Sequence, residues 1–290
     1  MFPKVPDCHK PNRPLVSNGL GVIYVLFATV YLFLMYSFEI EPQIHVSALT
    51  LAACVLFGGF MGLLDDWMDL KWRYKAFMPL IAAIPLASLA LSAGLRTSMS
   101  IPFIGIIDFG VYYFFVIIPL IMMVVTNTVN QLGGLNGLET ICPLIVLIGL
   151  IFLSGPMAIL MMGPLIVWLI LTVFNIRGKI FVGNSGSFAI GITLASFAIV
   201  TDLKLSLLVS ILPYVFNSAL ILLTVFLKGK KACLSFDGKD LYCDHRRSLV
   251  TLVAYRRHVS ERKIVLIVTL LIAFSTFIAV LLQLLQSPVI

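Results

Sequence analysis

The sequence predicts an all-α fold, a polytopic bundle of about nine transmembrane helices with a short β-hairpin on the non-cytosolic side. Three observations carry this. The 290-residue chain is 60% hydrophobic and only 11% charged, with a mean hydropathy of +1.08, far more apolar than a soluble core requires. The apolar residues gather into stretches of spanning or near-spanning length. The bases are segregated: with the N-terminus in the cytosol, 18 of the 20 Lys and Arg fall in cytosolic segments, and only Arg96 and Lys204 lie outside. That asymmetry sets the orientation of a helical membrane protein.

In chain order, the residues before Leu20 are polar and rich in Pro and Lys, with no cleavable signal-peptide pattern. They include the basic loop Asp7-Cys8-His9-Lys10-Pro11-Asn12-Arg13-Pro14, which reads either as a border of a site or as a disordered terminus. Spans follow at Leu20–Phe38, Val46–Leu64, Ala76–Gly94, Val111–Val125, Ile141–Ser154, Met157–Phe174, Ser187–Val200, Leu205–Leu227 and Ile264–Leu285. Thr97–Asp108, with Pro102 and Gly105, alternates weakly and reads as a hairpin between two spans. Residues 1–19, 65–75, 126–140, 175–187 and 228–263 form the cytosolic segments, and function is expected where they meet. Within the last, Arg246–Val259 mixes apolar residues with Arg246, Arg247, Arg256 and Arg257, which suits an amphipathic interfacial helix.

Nothing divides the chain, so residues 1–290 form a single integral membrane domain. The net charge of +7 belongs to the cytosolic face. It suits membrane-lipid headgroups or an anionic substrate, and nucleic acid is not an expected partner of so apolar a chain. Cys54 and Cys142 lie in spans and Cys8, Cys233 and Cys243 in cytosolic loops, so no disulfide is expected. Cys233, Cys243, His245 and His258 lack the paired spacing of a zinc site.

The most informative segment is Gly62–Lys75, where Asp65, Asp66 and Asp69 end an apolar run and Lys71, Arg73 and Lys75 follow. Carboxylates at the edge of lipid are costly to place. If the helix continues, Asp65 and Asp69 share a face. Such a cluster holds a hard cation or a proton, and the bases suit a phosphate. Asn127 and Asn130 stand three apart at a span end, before Gly133-Gly134 and Asn136-Gly137-Leu138-Glu139. They read as oxygen ligands near a flexible turn, or as simple helix termination. Phe181-Val182-Gly183-Asn184-Ser185 opens a span. Its N–H groups suit an anion, and Asn184 or Ser185 equally suits an N-cap. Asp244-His245-Arg246-Arg247 suits a pyrophosphate or a headgroup anchor. Each signal is modest alone, but together they lie on one membrane face.

With these residues in view, the chain resembles the polyprenyl-phosphate N-acetylhexosamine-1-phosphate transferases (glycosyltransferase 4 family), most closely the eukaryotic and archaeal dolichyl-phosphate branch. Gly62–Lys75, Asn127–Glu139, Phe181–Asn184 and Pro213–Asn217 carry the likeness in order. The resemblance implies an enzyme that transfers GlcNAc-1-phosphate from UDP-GlcNAc to a polyprenyl or dolichyl phosphate and releases UMP, the first step of lipid-linked oligosaccharide synthesis for protein N-glycosylation. It implies Mg²⁺, with Mn²⁺ as a substitute. By position, Asp65, Asp66 and Lys75 would be catalytic. Asn130 and Asn184 would be metal ligands, and Asn127, Asn136, Phe181, His245, Arg246 and Arg247 would bind substrate. It further implies a helix before the Asp7–Lys10 loop, one span more than this chain shows. The site would face the cytosol, in the endoplasmic reticulum membrane of a eukaryote or the plasma membrane of an archaeon, and a homodimer is left open.

Two departures matter. Asn184 stands where the family has a metal-binding Asp, and the sequence starts at the Asp7–Lys10 loop that a helix precedes in the family; the acidic uracil-reading residue that the eukaryotic branch places near Pro14–Gly19 is also not found there. The alternatives are a catalytically impaired relative acting as a partner subunit and an ion-coupled transporter using Asp65, Asp66 and Asp69. Transporters place such groups near the midplane, whereas these lie at one face.

Overall fold

The computed structural model describes residues 2–38, 41–101, 105–229 and 232–286. Pro102 of the expected hairpin and the cytosolic bases Lys230 and Lys231 lie outside the described residues. The chain runs β1 (Lys4–Pro6), β2 (Leu15–Ser17), α1 (Gly21–Ser37), α2 (Pro42–Met68), α3 (Trp72–Phe77), α4 (Pro79–Ser92), β3 (Ser98–Ile101) and β4 (Gly105–Asp108). A π-turn at Tyr113–Ile117 leads into α5 (Ile118–Gln131), and α6 (Leu138–Leu153), α7 (Ile159–Ile176) and α8 (Gly183–Val200) follow. The chain ends with α9 (Lys204–Ser210), α10 (Leu212–Lys228), β5 (Ser235–Phe236), β6 (Leu241–Tyr242), α11 (Leu249–Val253) and α12 (Glu261–Gln286).

Among the described residues, six helical segments are long and apolar enough to cross a membrane. The pair α9–α10, bent by 55°, makes a seventh, and α1 and α6 are shorter apolar helices. These nine rods fall where the nine apolar stretches were read. The β3–β4 hairpin also forms, antiparallel with Ser98 opposite Asp108.

Helix α8 is the central rod, packed by α1, α2, α5 and α6. It is buried at every residue from Ser185 to Val200, as expected of a helix apolar all round. Gly58 and Gly62 on α2 let it close on α8. A Cβ at Gly62 would stand 2.2 Å from the Asn184 carbonyl oxygen, the close approach that small residues four apart permit. Two large aromatic side chains inside the bundle find polar partners there. The Tyr24 hydroxyl bonds Thr193 Oγ1 at 2.9 Å, and the Trp168 ring N–H donates to the Thr140 carbonyl at 3.0 Å.

The two ends of the bundle differ in chemistry. At one end Lys204 is buried, and its Nζ donates to the carbonyls of Arg96 and Ser98 at 2.7 and 3.1 Å and pairs with Asp202 at 2.7 Å. The two bases that the charge pattern placed outside therefore share one cluster beside the β3–β4 hairpin. The opposite end gathers the polar loops.

The N-terminal residues, read either as a site border or as a disordered terminus, form the antiparallel hairpin β1–β2. It is tied to the rest by the Phe181 N–H, which donates to the Ser17 carbonyl at 2.8 Å. Arg246–Val259 forms only the five-residue α11, started by a Ser248–Thr251 capping box. The cap fixes its beginning, and the residues after Ala254 turn away to bridge the β5–β6 hairpin.

Candidate active site

A cleft of about 450 Å³ opens at the polar end, lined by Asp7, His9 and Asn18 from the N-terminal hairpin, Asp66 from α2, Asn130 from α5, and Phe181, Asn184 and Ser187 around the start of α8. Glu139, Gln131, Gly133 and Gly134 complete its wall. A second cleft of about 340 Å³ shares His9, Gln131, Gly133 and Gly134 with the first. It extends past Asn217 to Cys233 and Ser248. All the polar segments except 65–75 and 228–263 line the first cleft with several residues. Segment 65–75 contributes Asp66, and 228–263 lines the second.

Helix α2 runs on through Asp65 and Asp66 to Met68, then stops. Asp69 adopts a left-handed conformation at φ 45° and closes the helix through its N–H on the Asp65 carbonyl. Asp69 is exposed and does not share a helical face with Asp65. The Asp65 carboxylate is buried, and Oδ1 pairs with Lys75 Nζ at 2.7 Å and accepts from the Leu70 N–H at 3.1 Å. Its Oδ2 is buried and accepts no hydrogen bond among the described residues. Asp66 points the other way. Its two oxygens accept from the backbone N–H groups of Asn184 and Ser185, each at 2.9 Å. A carboxylate thus already occupies the first amides of α8, where positive partial charge accumulates. Neither Asn184 nor Ser185 caps the helix with its side chain. Gly183, at φ +71°, brings this turn close: a Cβ there would lie 2.8 Å from Asp66 Oδ2 and 2.9 Å from Gly19 Cα.

The two asparagines of α5 diverge. Asn127 Nδ2 donates to the carbonyls of Ala76 and Met123 at 3.0 and 2.8 Å, bracing α5 against the end of α3. It does not line the cleft. Asn130 does, and its Oδ1 accepts from the Ser187 hydroxyl at 2.7 Å. Asn136 sits behind the wall. Its Nδ2 donates to Asp7 Oδ2 at 2.7 Å and to Glu261 Oε1 at 3.2 Å, and its N–H donates to Glu261 Oε1 at 2.8 Å. Lys10 pairs with the other Glu261 oxygen. Asn136 therefore fastens the N-terminal loop to α12. Sequence reasoning gave no role to Glu139, Ser187 or Glu261. The only signal available was Glu139 standing at the end of a recognised run.

His245, Arg246 and Arg247 do not line the cleft. The His245 ring lies between two thiols, with Nδ1 3.3 Å from Cys243 Sγ and Nε2 3.6 Å from Cys233 Sγ. Burial and the Arg247 charge push its pKa below the ordinary value, so the imidazole favours its neutral form. The Arg246 guanidinium stacks over Tyr255 at 4.1 Å, and the Arg247 N–H donates to Thr251 Oγ1 at 2.9 Å.

The groups that converge on the cleft from α2, α5, α6 and α8 are oxygen donors: the carboxylates of Asp66 and Glu139 and the amides of Asn130 and Asn184. Such a set fits a hard divalent cation rather than a soft one.

The polar loops of a helical, apolar bundle thus converge on one oxygen-rich cleft. The model of glycosyl transferase family 4 matches residues 46–202, and the chain belongs to that family. A Saccharolobus solfataricus protein provisionally named UDP-N-acetylglucosamine–dolichyl-phosphate N-acetylglucosaminephosphotransferase is 31% identical, over 96% of this chain and 87% of that protein. The provisionally named Sulfolobus acidocaldarius counterpart is 30% identical over 83% of this chain and 75% of its own. The Saccharomyces cerevisiae protein of that name is 26% identical over 73% and 58%.

Proposed function

We propose that the protein transfers GlcNAc-1-phosphate from UDP-GlcNAc to a polyprenyl phosphate of the dolichyl type. An oxygen of the lipid phosphate attacks the β-phosphorus of the nucleotide sugar, the bond to the α-phosphate oxygen breaks, and UMP leaves. The observation that carries this reading is Asp66 in the wall of an oxygen-rich cleft, next in sequence to Asp65, whose buried carboxylate holds Lys75, in a chain whose relatives bear that name over most of its length.

Little covalent chemistry is asked of the protein, which must bring two anions together and offset their repulsion. Lys75 is partly exposed while its partner Asp65 is buried. Its Nζ is therefore positioned, with donor capacity left to meet the acceptor phosphate. Asp65 orients Lys75. Asp66 fixes the turn that presents Asn184. Phe181 offers an aromatic face in the wall for a nucleobase. Mg²⁺, or Mn²⁺ in its place, would be held by Asn130 and Asn184 and would supply charge neutralisation to the diphosphate. His245, Arg246 and Arg247 stand outside the cleft wall, and this reading gives them no direct contact with the donor.

The cleft faces the cytosol in this reading, because the sequence segments that form it are those the charge pattern assigns to the cytosolic side. Whether that membrane is a eukaryotic endoplasmic reticulum or an archaeal plasma membrane follows from the host, and a homodimer is compatible with the fold. The experiment is transfer from labelled UDP-GlcNAc to dolichyl phosphate by purified protein, with Mg²⁺, with Mn²⁺ and with chelator. Lipid-linked product that requires either metal supports the reading. Its absence with both metals, in folded protein, overturns it.

A further inference from the structure

Three carboxylates line the main cleft among the described residues: Asp7, Asp66 and Glu139. Their surroundings differ. Asp7 has both oxygens engaged, Oδ1 by the His9 N–H at 3.2 Å and Oδ2 by Asn136 Nδ2. Asp66 has both engaged by the amides of α8. Glu139 is different. Its Oε1 accepts from Asn175 Nδ2 at 3.0 Å and from the Val182 N–H at 3.3 Å. Its Oε2 accepts no hydrogen bond, and no Lys, Arg or His pairs with Glu139 among the described residues.

A half-buried carboxylate with one oxygen free and a second carboxylate in the same cleft is held in its charged form by a counter-charge. Lys75 of the acidic segment is committed to Asp65, and His9, which lines the same cleft, makes no ion pair with Glu139 among the described residues. Among the described residues no side chain supplies that charge. The neighbours of Glu139 in the cleft, Asn130 and Asn184, offer neutral oxygens, which complete a coordination shell but do not neutralise a dication. We propose that Glu139 supplies the formal negative charge of the divalent-cation site, with Oε2 as the ligand atom, and so takes over the role of the carboxylate that Asn184 does not carry. The inference rests on the metal-dependent reading above. Glu139 sits in the first turn of α6 and is anchored at Oε1 by two donors from α7 and the α8 turn. That anchoring holds the free oxygen in place before any ion arrives.

The test is Mn²⁺ titration by electron paramagnetic resonance on purified protein without substrates, so that binding is read apart from turnover. Wild type is expected to bind Mn²⁺, and Glu139→Gln to weaken that binding at least about 10-fold. Gln keeps the Oε1 acceptor, so the unfolding transition should persist. In the Glu139→Gln background, Asn184→Asp should restore most of the affinity by returning a charge to the shell. A measurement on wild type alone covers the case in which the variant does not fold: the Mn²⁺-induced infrared difference spectrum should show a shifted carboxylate stretch. Equal Mn²⁺ affinity in wild type and Glu139→Gln, or no carboxylate shift on binding, would overturn the inference while leaving the transfer reading intact. Intact Mn²⁺ binding that depends on Glu139, with no GlcNAc-1-phosphate transfer, supports the inference and sinks the transfer reading alone.

Discussion

Asp66 closes the N-terminus of α8 from another helix: its Oδ1 accepts from the backbone N–H of Asn184 at 2.9 Å. With the matching bond from the Ser185 N–H to Oδ2, this contact joins the acidic segment to the Gly-Asn-Ser turn, 118 residues further along the chain. It also means that the turn's first amides hold a protein carboxylate, and an incoming phosphate would meet side chains and cation instead.

Asp66→Asn should therefore act on both fold and rate. It removes a charge from the positive end of α8, a loss of roughly 1 kcal/mol, and loosens the presentation of Asn184. Transfer should fall by about 10²-fold or more, in the range for groups that organise charge. Initial rates and a chemical unfolding curve check this. A variant with normal rate and lowered stability would confine Asp66 to the fold.

The Lys75–Asp65 pair is asymmetric, because only the lysine is partly exposed. Lys75→Met leaves a buried carboxylate without its partner and should destabilise by about 1–3 kcal/mol. Adding Asp65→Asn should recover part of that loss without restoring transfer. A double-mutant cycle on unfolding free energies reads the coupling, and purely additive effects would show that the pair contributes nothing as a pair.

Much of this arrangement was legible in the sequence, for physical reasons that differ by residue. Long apolar runs have few ways to fold in lipid, so the rods fall where composition puts them. The bases Arg96 and Lys204 were singled out by charge asymmetry and meet in one cluster. Spacing, however, carries no direction beyond the helix. Asp69 leaves the helix at a left-handed residue, Asn127 turns to Ala76, and Asn136 faces Asp7 and Glu261. None of these contacts is local in sequence. Cys233 and His245 lack a recognisable metal spacing, yet the β5–β6 hairpin brings them together. Glu139 stood in plain view, but its free oxygen is visible only once Asn175 and Val182 have claimed the other.

Orientation can be read directly. Cysteines placed at the exposed positions of Lys4 and Arg262, in an otherwise cysteine-free chain, should react with a membrane-impermeant maleimide only from the cytosolic side. A cysteine at Arg96 should react only from the other. Labelling with the sides exchanged would invert the topology and remove the cytosolic placement of the cleft.

Asn184→Asp adds a formal charge where a neutral amide faces the cleft. The Mg²⁺ concentration giving half-maximal transfer should fall, whereas turnover need not rise, because tighter ground-state binding does not lower the chemical barrier. An unchanged metal titration would remove Asn184 from the metal site. Activity appearing only in the variant would identify the wild type as an impaired relative.

The central claim is that a phosphate, and not the sugar alone, moves onto the lipid. UDP-GlcNAc labelled with ³²P at the β-phosphate distinguishes the two. With purified protein, Mg²⁺ and dolichyl phosphate, the account predicts that the label enters the organic phase with GlcNAc, matched by an equal amount of unlabelled UMP. Label retained in water as UDP, with sugar alone on the lipid, would contradict it.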